Sequence, residues 1–270
     1  MLFRSPVLPP TDVVQEGPIP PAIVEVQGQV EQVRGLEFID RVPVDPTSQE
    51  ELVERLTGFF DHSYPDELFA RRSLAWETIG AIPEGTSIQD ALRSFFSGQV
   101  IGFYVPTSGE LVFIGSKHPT PIERITLAHE LTHAIDDQHF RLERIDVLEG
   151  GCRDEALAAA VAAVEGSAQF FSIRFARQFL TVDEQLGLIG GGAPPIEDVP
   201  PFIVQTQIWP YTAGLQFIAG LEARGGLDAV NEAIESFPTS TEQIIHPERY
   251  PNDVPQPVDV PDLADRKSVV

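Results

Sequence analysis

The sequence predicts an α+β protein that is mainly α-helical and carries one small β-hairpin or sheet. Several segments place apolar residues at helical spacing, and two short runs rich in β-branched and aromatic residues flank a turn that contains glycine. In a chain of 270 residues, a 42% share of hydrophobic residues is enough to form a buried core. Length alone allows one or two domains.

The beginning of the chain is predicted to be an extended arm or linker over residues 1–34, because prolines recur there without a helical period. Residues 35–264 are predicted to form one domain. The last six residues, 265–270, resemble a translated sequencing adapter and are excluded from it. The first helices of the domain are predicted over Ser48–Phe60, Asp66–Thr78 and Ser87–Phe96.

A hairpin is predicted next, from the runs Val100–Val105 and Leu111–Ile114. A helix should then run from Pro121 to about His139, because Thr120 can cap it, Pro121 fits its first position and Glu123 can complete a capping box. The remaining predicted helices cover Arg153–Leu180, Phe202–Ile208, Tyr211–Arg224 and Leu227–Phe237.

Composition excludes several classes of partner. The formal charge of -23 disfavours nucleic acid and anionic membranes. Cys152 is the only cysteine, so an intrachain disulfide and a cysteine-rich metal site are both excluded. We find no apolar run of membrane-spanning length and no signal peptide, so the chain is expected to be soluble as given. The sequence leaves the oligomeric state and the compartment open, and an incomplete N-terminus would allow an extracytoplasmic location.

The helix after Thr120 contains His129-Glu130-Leu131-Thr132-His133. Residues four apart lie on one face of a helix, so both imidazoles can bind a single metal ion. Zinc in catalytic sites takes three protein ligands and leaves one position for water, whose pKa falls to near 7. Glu130 is placed to act as the base for that water. The competing interpretation is an ordinary helix with two structural histidines.

A third ligand has to come from the following helix, where Glu165 and Glu155 are the candidates. They are about 280° apart around a helix, so they do not share a face. We prefer Glu165, because Gly166 and the alanines around it allow close packing on the motif helix. Glu155 has another explanation, since it lies in the first turn of its helix, where the dipole favours a negative charge.

These residues resemble a known family. Ala128–Ala134 is similar to the active-site helix of thermolysin-like gluzincins, which are zinc metallopeptidases. A longer pattern is similar to a little-characterised group of prokaryotic proteins assigned as metallopeptidases; it comprises His129–Phe140, Val164–Ala168, Pro210–Gly214 and Ser240–Tyr250. The resemblance implies a zincin-like core, one zinc ion per chain and a peptide or protein substrate. Peptide bonds would be hydrolysed by a zinc-bound water that Glu130 activates.

The resemblance also implies roles for residues outside the motif. Tyr211 or His246 would stabilise the negatively charged intermediate, and Asp137 would support His133. The hairpin over Val100–Ile114 would bind the substrate along its edge. Ser167 departs from relatives that carry an acid at this position, and Asp136 is expected to be solvated.

Two alternatives to a peptidase stay open. The chain could be a catalytically silent binding or scaffold module with a zincin fold, or a zinc amidase that acts on cell-wall peptide.

Overall fold

The computed structural model describes residues 19–55, 66–106, 108–150, 153–189, 196, 198–256 and 258. In this part of the chain the protein is mainly helical with one three-stranded sheet, as predicted. The strands are β1 (Val44–Thr47), β2 (Gly102–Val105) and β3 (Glu110–Ile114). The helices are α1 (Pro21–Arg34), α2 (Asp66–Thr78), α3 (Ile88–Gln99), α4 (Pro121–Phe140), α5 (Ile145–Gly150), α6 (Asp154–Phe179), α7 (Val182–Leu188), α8 (Pro201–Glu235) and α9 (Thr241–Ile245). Residues 49–55 are also helical, and the rest of the helix predicted there lies outside the described residues.

The N-terminal region differs from the prediction. An extended arm was expected over residues 1–34, but Pro21–Arg34 is a helix, so that prediction is wrong from Pro21 onward. Pro21 occupies the first turn, where a missing backbone N–H costs nothing. Apolar residues then recur every three or four positions and enter the core: Ile23, Val26, Val30 and Val33. Residues 1–18 lie outside the described part of the chain.

The predicted hairpin is present as β2 and β3, which pair in antiparallel register. β1 was not predicted, and it pairs in parallel with β3, giving the order β1-β3-β2. The N–H of Ile114 donates to the carbonyl of Ile101 at 2.7 Å. Because bonded positions alternate along an antiparallel strand, the backbone polar groups of Gly102 and Tyr104 point away from β3, toward the open edge of the sheet.

The main core surrounds α6, which packs on α4, α8 and α1. α6 is long and apolar enough to cross a membrane by length and composition, contrary to the expectation that no such run exists. However, 72% of its apolar window is buried inside the protein, which is compatible with a soluble protein. Its alanine-rich sequence reflects close packing against neighbouring helices.

α8 spans a region where three helices were predicted. The break expected before Tyr211 is wrong, because the helix continues through Pro210. The break expected after Arg224 is confirmed, since Gly226 adopts φ 65° and ψ -157° inside the assigned helix. A positive φ is accessible to glycine without steric cost, which explains why the chain bends at this residue.

A second, smaller cluster lies apart from the main core and is called here the α2–α3 cluster. It consists of Phe69, Ile82, Ile88, Ala91, Leu92 and, from α8, Ile203. Phe96, near the end of α3, packs against this cluster, and Phe95 and Phe96 both line the cavity described next.

Candidate metal centre

His129, His133 and Glu165 lie together, as predicted for the preferred ligand set. α4 begins at the predicted capping box, in which the N–H of Thr120 donates to Glu123 at 2.8 Å. The two histidines lie one turn apart on the face of α4 that meets α6, and Glu165 is on the opposing face of α6. This group could hold a metal ion.

The three potential ligand atoms form a small triangle. His129 Nε2 is 3.1 Å from His133 Nε2 and 3.1 Å from Glu165 Oε2, and His133 Nε2 is 3.4 Å from the same oxygen. Tetrahedral zinc with bonds of about 2.0–2.1 Å separates its ligands by about 3.3–3.4 Å. Neighbouring ligands on one face of an octahedral ion are separated by about 3.0 Å at similar bond lengths. The triangle fits both arrangements, so it leaves the identity of the metal open.

Glu165 is ionised in this arrangement. Burial opposes its ionisation, but the two imidazoles outweigh that effect and lower its pKa to about 2. A carboxylate that keeps its charge while only 10% of its side chain is exposed is suited to bind a cation.

Glu130 lies beside the triangle and lines the same cavity. Burial raises its pKa to about 7, and the negative charge of Glu165 acts in the same direction. His129 and a hydrogen bond from the backbone N–H of Tyr104 oppose this shift. In the absence of metal, Glu130 therefore gains and loses a proton near neutral pH, which is the range a general base requires.

Tyr211 reaches the same place from α8. Its ring stacks on that of His129, with centroids 6.0 Å apart and planes inclined by 22°. Its hydroxyl is hydrogen-bonded to Glu165. Burial of the hydroxyl, followed by the charges of Glu165 and Glu130, raises the pKa of Tyr211 well above its ordinary value, so the group remains a hydrogen-bond donor.

The position of Tyr211 depends on a close contact between α6 and α8. A Cβ atom added to Gly214 would lie 1.9 Å from the carbonyl oxygen of Ala162, and one added to Gly166 would lie 2.2 Å from the backbone of Gly214. Gly166 was expected to allow close packing on the motif helix. Its close neighbour is instead α8, so this glycine brings Tyr211 toward Glu165.

Two predicted residues are not brought to the site. Glu155, the alternative third ligand, accepts hydrogen bonds from the backbone N–H and hydroxyl of Thr241 at 2.8 and 2.6 Å, at the start of α9. His246 faces Glu242 and Glu248 and does not line the cavity. Its predicted role in stabilising an intermediate is therefore not carried forward.

Asp137 occupies a place next to the site without contacting the proposed metal directly. It accepts hydrogen bonds from the hydroxyl of Tyr104 at 2.9 Å and from the backbone N–H of Leu142 at 2.7 Å. Burial raises the pKa of Asp137, while the hydrogen bonds from Tyr104 and Leu142 and, more weakly, the charge of His133 lower it. Asp137 thus interacts with His133 electrostatically.

Asp136 was expected to be solvated, and that prediction is wrong. The side chain is 1% exposed and pairs with fully buried Arg34 at 2.6 Å. It also accepts a hydrogen bond from the hydroxyl of Ser167 at 2.7 Å, so this contact joins α4 to α6. Arg34 further donates to Asn231 at 2.7 Å and packs over Phe171.

The cavity beside the triangle has a volume of about 570 Å³. Much of its wall is apolar, from α3, the residue before β2, α4, α6 and α8: Phe96, Ile101, Ile125, Ile173 and Ile208. Amide side chains also line it, and among the described residues Arg177 is the only lysine or arginine in its wall. A cavity of this size and polarity can hold several residues of an extended peptide.

No family model and no curated protein matches this chain. A crystal structure from Chloroflexus aurantiacus, described as a candidate hydrolase with a novel fold, matches at a TM-score of 0.51 with 15% sequence identity. The match covers 84% of this chain and 86% of that chain. At this identity the likeness concerns the fold alone, so the two proteins share an overall architecture.

Sequence reasoning missed two groups at this site. The Tyr104 amide that bonds Glu130 carries no side-chain signal, and only strand pairing reveals its direction. Arg34 was missed because α1 was missed, although the spacing of Ile23, Val26, Val30 and Val33 is a helical signal.

Proposed function

We propose that this chain is a zinc-dependent metallopeptidase in which His129, His133 and Glu165 hold one zinc ion. The observation that supports it best is the placement of Glu130, a buried carboxylate with a pKa near 7, in the same cavity as that triangle. Two imidazoles and one carboxylate are a typical catalytic zinc ligand set. When bound, zinc lowers the pKa of a coordinated water and polarises a carbonyl oxygen.

Glu130 supplies the proton transfers. Its carboxylate accepts a proton from the attacking water and then donates that proton to the leaving amine nitrogen, so the base returns to its starting state. The Tyr104 N–H holds the carboxylate in place, because it donates a hydrogen bond to it from the adjacent strand.

Tyr211 stabilises the oxygen that becomes negative as the scissile carbonyl is attacked. Its hydroxyl keeps its proton at neutral pH and is already directed at the site. A donor that is already in place when the charge develops is worth more than the same donor in solution.

The substrate is an extended peptide or protein segment. The backbone N–H and carbonyl of Gly102 and the carbonyl of Tyr104 face the open edge of the sheet, and Gly102 lines the cavity. A peptide lying along this edge can form strand-like hydrogen bonds, while the apolar walls take its side chains.

Glu130 also favours zinc hydrolysis over the main competing chemistry of the same ligand set. Two histidines and a carboxylate on one face of an ion are used by non-haem iron oxygenases too. Such oxygenases have no need of a buried base with a pKa near 7 beside the ligands.

The test combines metal analysis with one substitution. Purified protein should contain about one zinc per chain, and Glu130→Gln should keep that zinc while hydrolysis of a peptide library falls by at least about 100-fold. Iron instead of zinc would indicate an oxygenase, and zinc without hydrolysis of peptides or cell-wall fragments would indicate a silent module. Cleavage confined to cell-wall fragments would make the protein an amidase.

A further inference from the structure

The cavity follows one side of α6 away from the metal ligands. The described α6 residues that line it lie on one side of the helix: Val161, Glu165, Gln169, Ser172, Ile173, Ala176 and Arg177. Because a helix rises 1.5 Å per residue, Arg177 lies about 18 Å along α6 from Glu165. The cavity is therefore elongated, and Arg177 is the α6 lining residue farthest from Glu165.

Arg177 differs from the arginines near it. Arg124 pairs with Glu184, and Arg174 pairs with Glu222. Arg177 is exposed and makes no hydrogen bond or ion pair with the residues that the structure describes. In a chain with 41 acidic and 18 basic residues, an arginine left available to solvent beside a substrate-sized cavity is unusual. Its place in the last turn of α6 suits the helix dipole, but the dipole does not require it to line the cavity.

We infer that Arg177 binds a carboxylate of the substrate at the end of the cavity remote from the metal ligands. This inference rests on the proposed peptidase function. A guanidinium group binds a carboxylate through two parallel hydrogen bonds, which gives both charge and direction. The group bound is either the C-terminal carboxylate of a peptide or the side chain of Asp or Glu.

The geometry sets the distance between that carboxylate and the scissile bond. An arginine side chain that points along α6 toward Glu165 shortens the distance by about 6 Å. About 12 Å then remain between the guanidinium group and the position of Glu165 along the helix. An extended peptide covers about 3.3 Å per residue, so the carboxylate lies about three to five residues from the bond that is cut.

The experiment uses matched peptides of one sequence, cut at one bond and followed by chromatography. In the first pair the peptide ends four residues beyond that bond, with either a free C-terminal carboxylate or an amide. In the second pair both C-termini are amidated, and the residue at that position is either Glu or Gln. Arg177→Gln should raise the KM of the peptide whose carboxylate binds Arg177 by about three- to tenfold, because the contact is charge-assisted but partly exposed. The kcat of that peptide should stay unchanged, and so should both constants of the neutral peptides. Added salt should shrink the effect. The pair that responds identifies the carboxylate source.

Arg174→Gln is the control, because it removes the same charge from the same helix outside the cavity. A loss with Arg177→Gln that is equal for acidic and neutral peptides would overturn the carboxylate site while the peptidase function stood. If no peptide is cleaved, the function itself is wrong, and binding of fluorescein-labelled acid and amide peptides then decides the role of Arg177. Equal affinity of the unsubstituted chain for both members of each pair would overturn the inference.

Discussion

Two buried glutamates that line the same cavity have pKa values shifted in opposite directions. Glu165 contacts both imidazoles, and their charge lowers its pKa to about 2, although burial acts against ionisation. Glu130 is buried with weaker compensation, so its pKa rises to about 7. Environment alone thus separates a carboxylate that is charged at neutral pH from one that exchanges a proton there, which suits the proposed ligand and the proposed base.

Glu130→Gln should stabilise the metal-free protein at high pH. The pKa of Glu130 in the folded chain lies above its ordinary value of 4.5, so the folded state holds a proton that the unfolded chain releases. Stability is therefore lost as pH rises from 4.5 to 7. Glutamine cannot ionise, so at pH 8 the variant should be more stable by up to about 3 kcal/mol. Urea unfolding at pH 4 and pH 8 measures this, and an equal difference at both pH values would contradict the assignment.

Tyr211→Phe should lower kcat of the zinc-loaded enzyme by about 10- to 100-fold, with little change in KM, because the hydroxyl acts on charge that develops during the reaction. Steady-state kinetics on a single peptide measures both constants. A rise in KM at unchanged kcat would assign Tyr211 to substrate binding instead.

At the scale of elements, the contact between α6 and α8 fixes the site. Gly166 and Gly214 leave no room for a side chain, so the two helix backbones touch next to Glu165 and three residues from Tyr211. The same contact therefore places the proposed metal ligand, Glu165, and the hydrogen-bond donor, Tyr211.

Gly214→Ala should therefore separate the helices. The added methyl group would meet the backbone oxygen of Ala162, which cannot move aside as a side chain would, and the cost should be about 1–3 kcal/mol or more. Zinc affinity should fall with it. Gly28→Ala is the matched control, since a Cβ there meets nothing within 4 Å and should stabilise α1 by up to about 1 kcal/mol. Calorimetry and zinc titration of both variants test this. Unchanged zinc affinity in Gly214→Ala would show that the contact between α6 and α8 does not position the metal site.

α1 is connected to α4, the helix that carries His129 and His133, by a buried ion pair. Arg34→Met leaves the Asp136 carboxylate buried without its cation, and the expected loss is about 3–5 kcal/mol. Adding Asp136→Leu should recover part of that loss, because no buried charge then remains. Urea unfolding of the single and double variants tests this. Additive losses would show that the two residues act independently.

The elements that the sequence predicted well carry local signals. The capping box at Thr120 and the glycine turn between β2 and β3 depend on neighbouring residues, and so does the helical face formed by His129 and His133. β1 has only four residues and depends on β3, some 60 residues away. Pro210 was a misleading local signal, because packing of α8 on α6 maintains the helix through it.

At the scale of the whole molecule, ligands from α4 and α6 and a donor from α8 meet at one point. Unfolding separates these groups, so a bound metal stabilises the fold as a whole.

Zinc should raise the melting temperature of the metal-free chain. At a free concentration 100 times its Kd, zinc should add about 2.7 kcal/mol to the free energy of unfolding. Differential scanning calorimetry with zinc and with a chelator measures the shift. His133→Ala should abolish most of it, and a full shift in that variant would mean that zinc binds elsewhere.

The α2–α3 cluster has a consequence for how such a protein diversifies. Its apolar residues, apart from Ile203, come from the stretch of chain between β1 and β2, whereas the metal ligands come from α4 and α6. One wall of the cavity is thus supported by a hydrophobic cluster that is separate from the main core. Substitutions between β1 and β2 can therefore change which ligands the cavity accepts, while the proposed metal ligands on α4 and α6 stay the same.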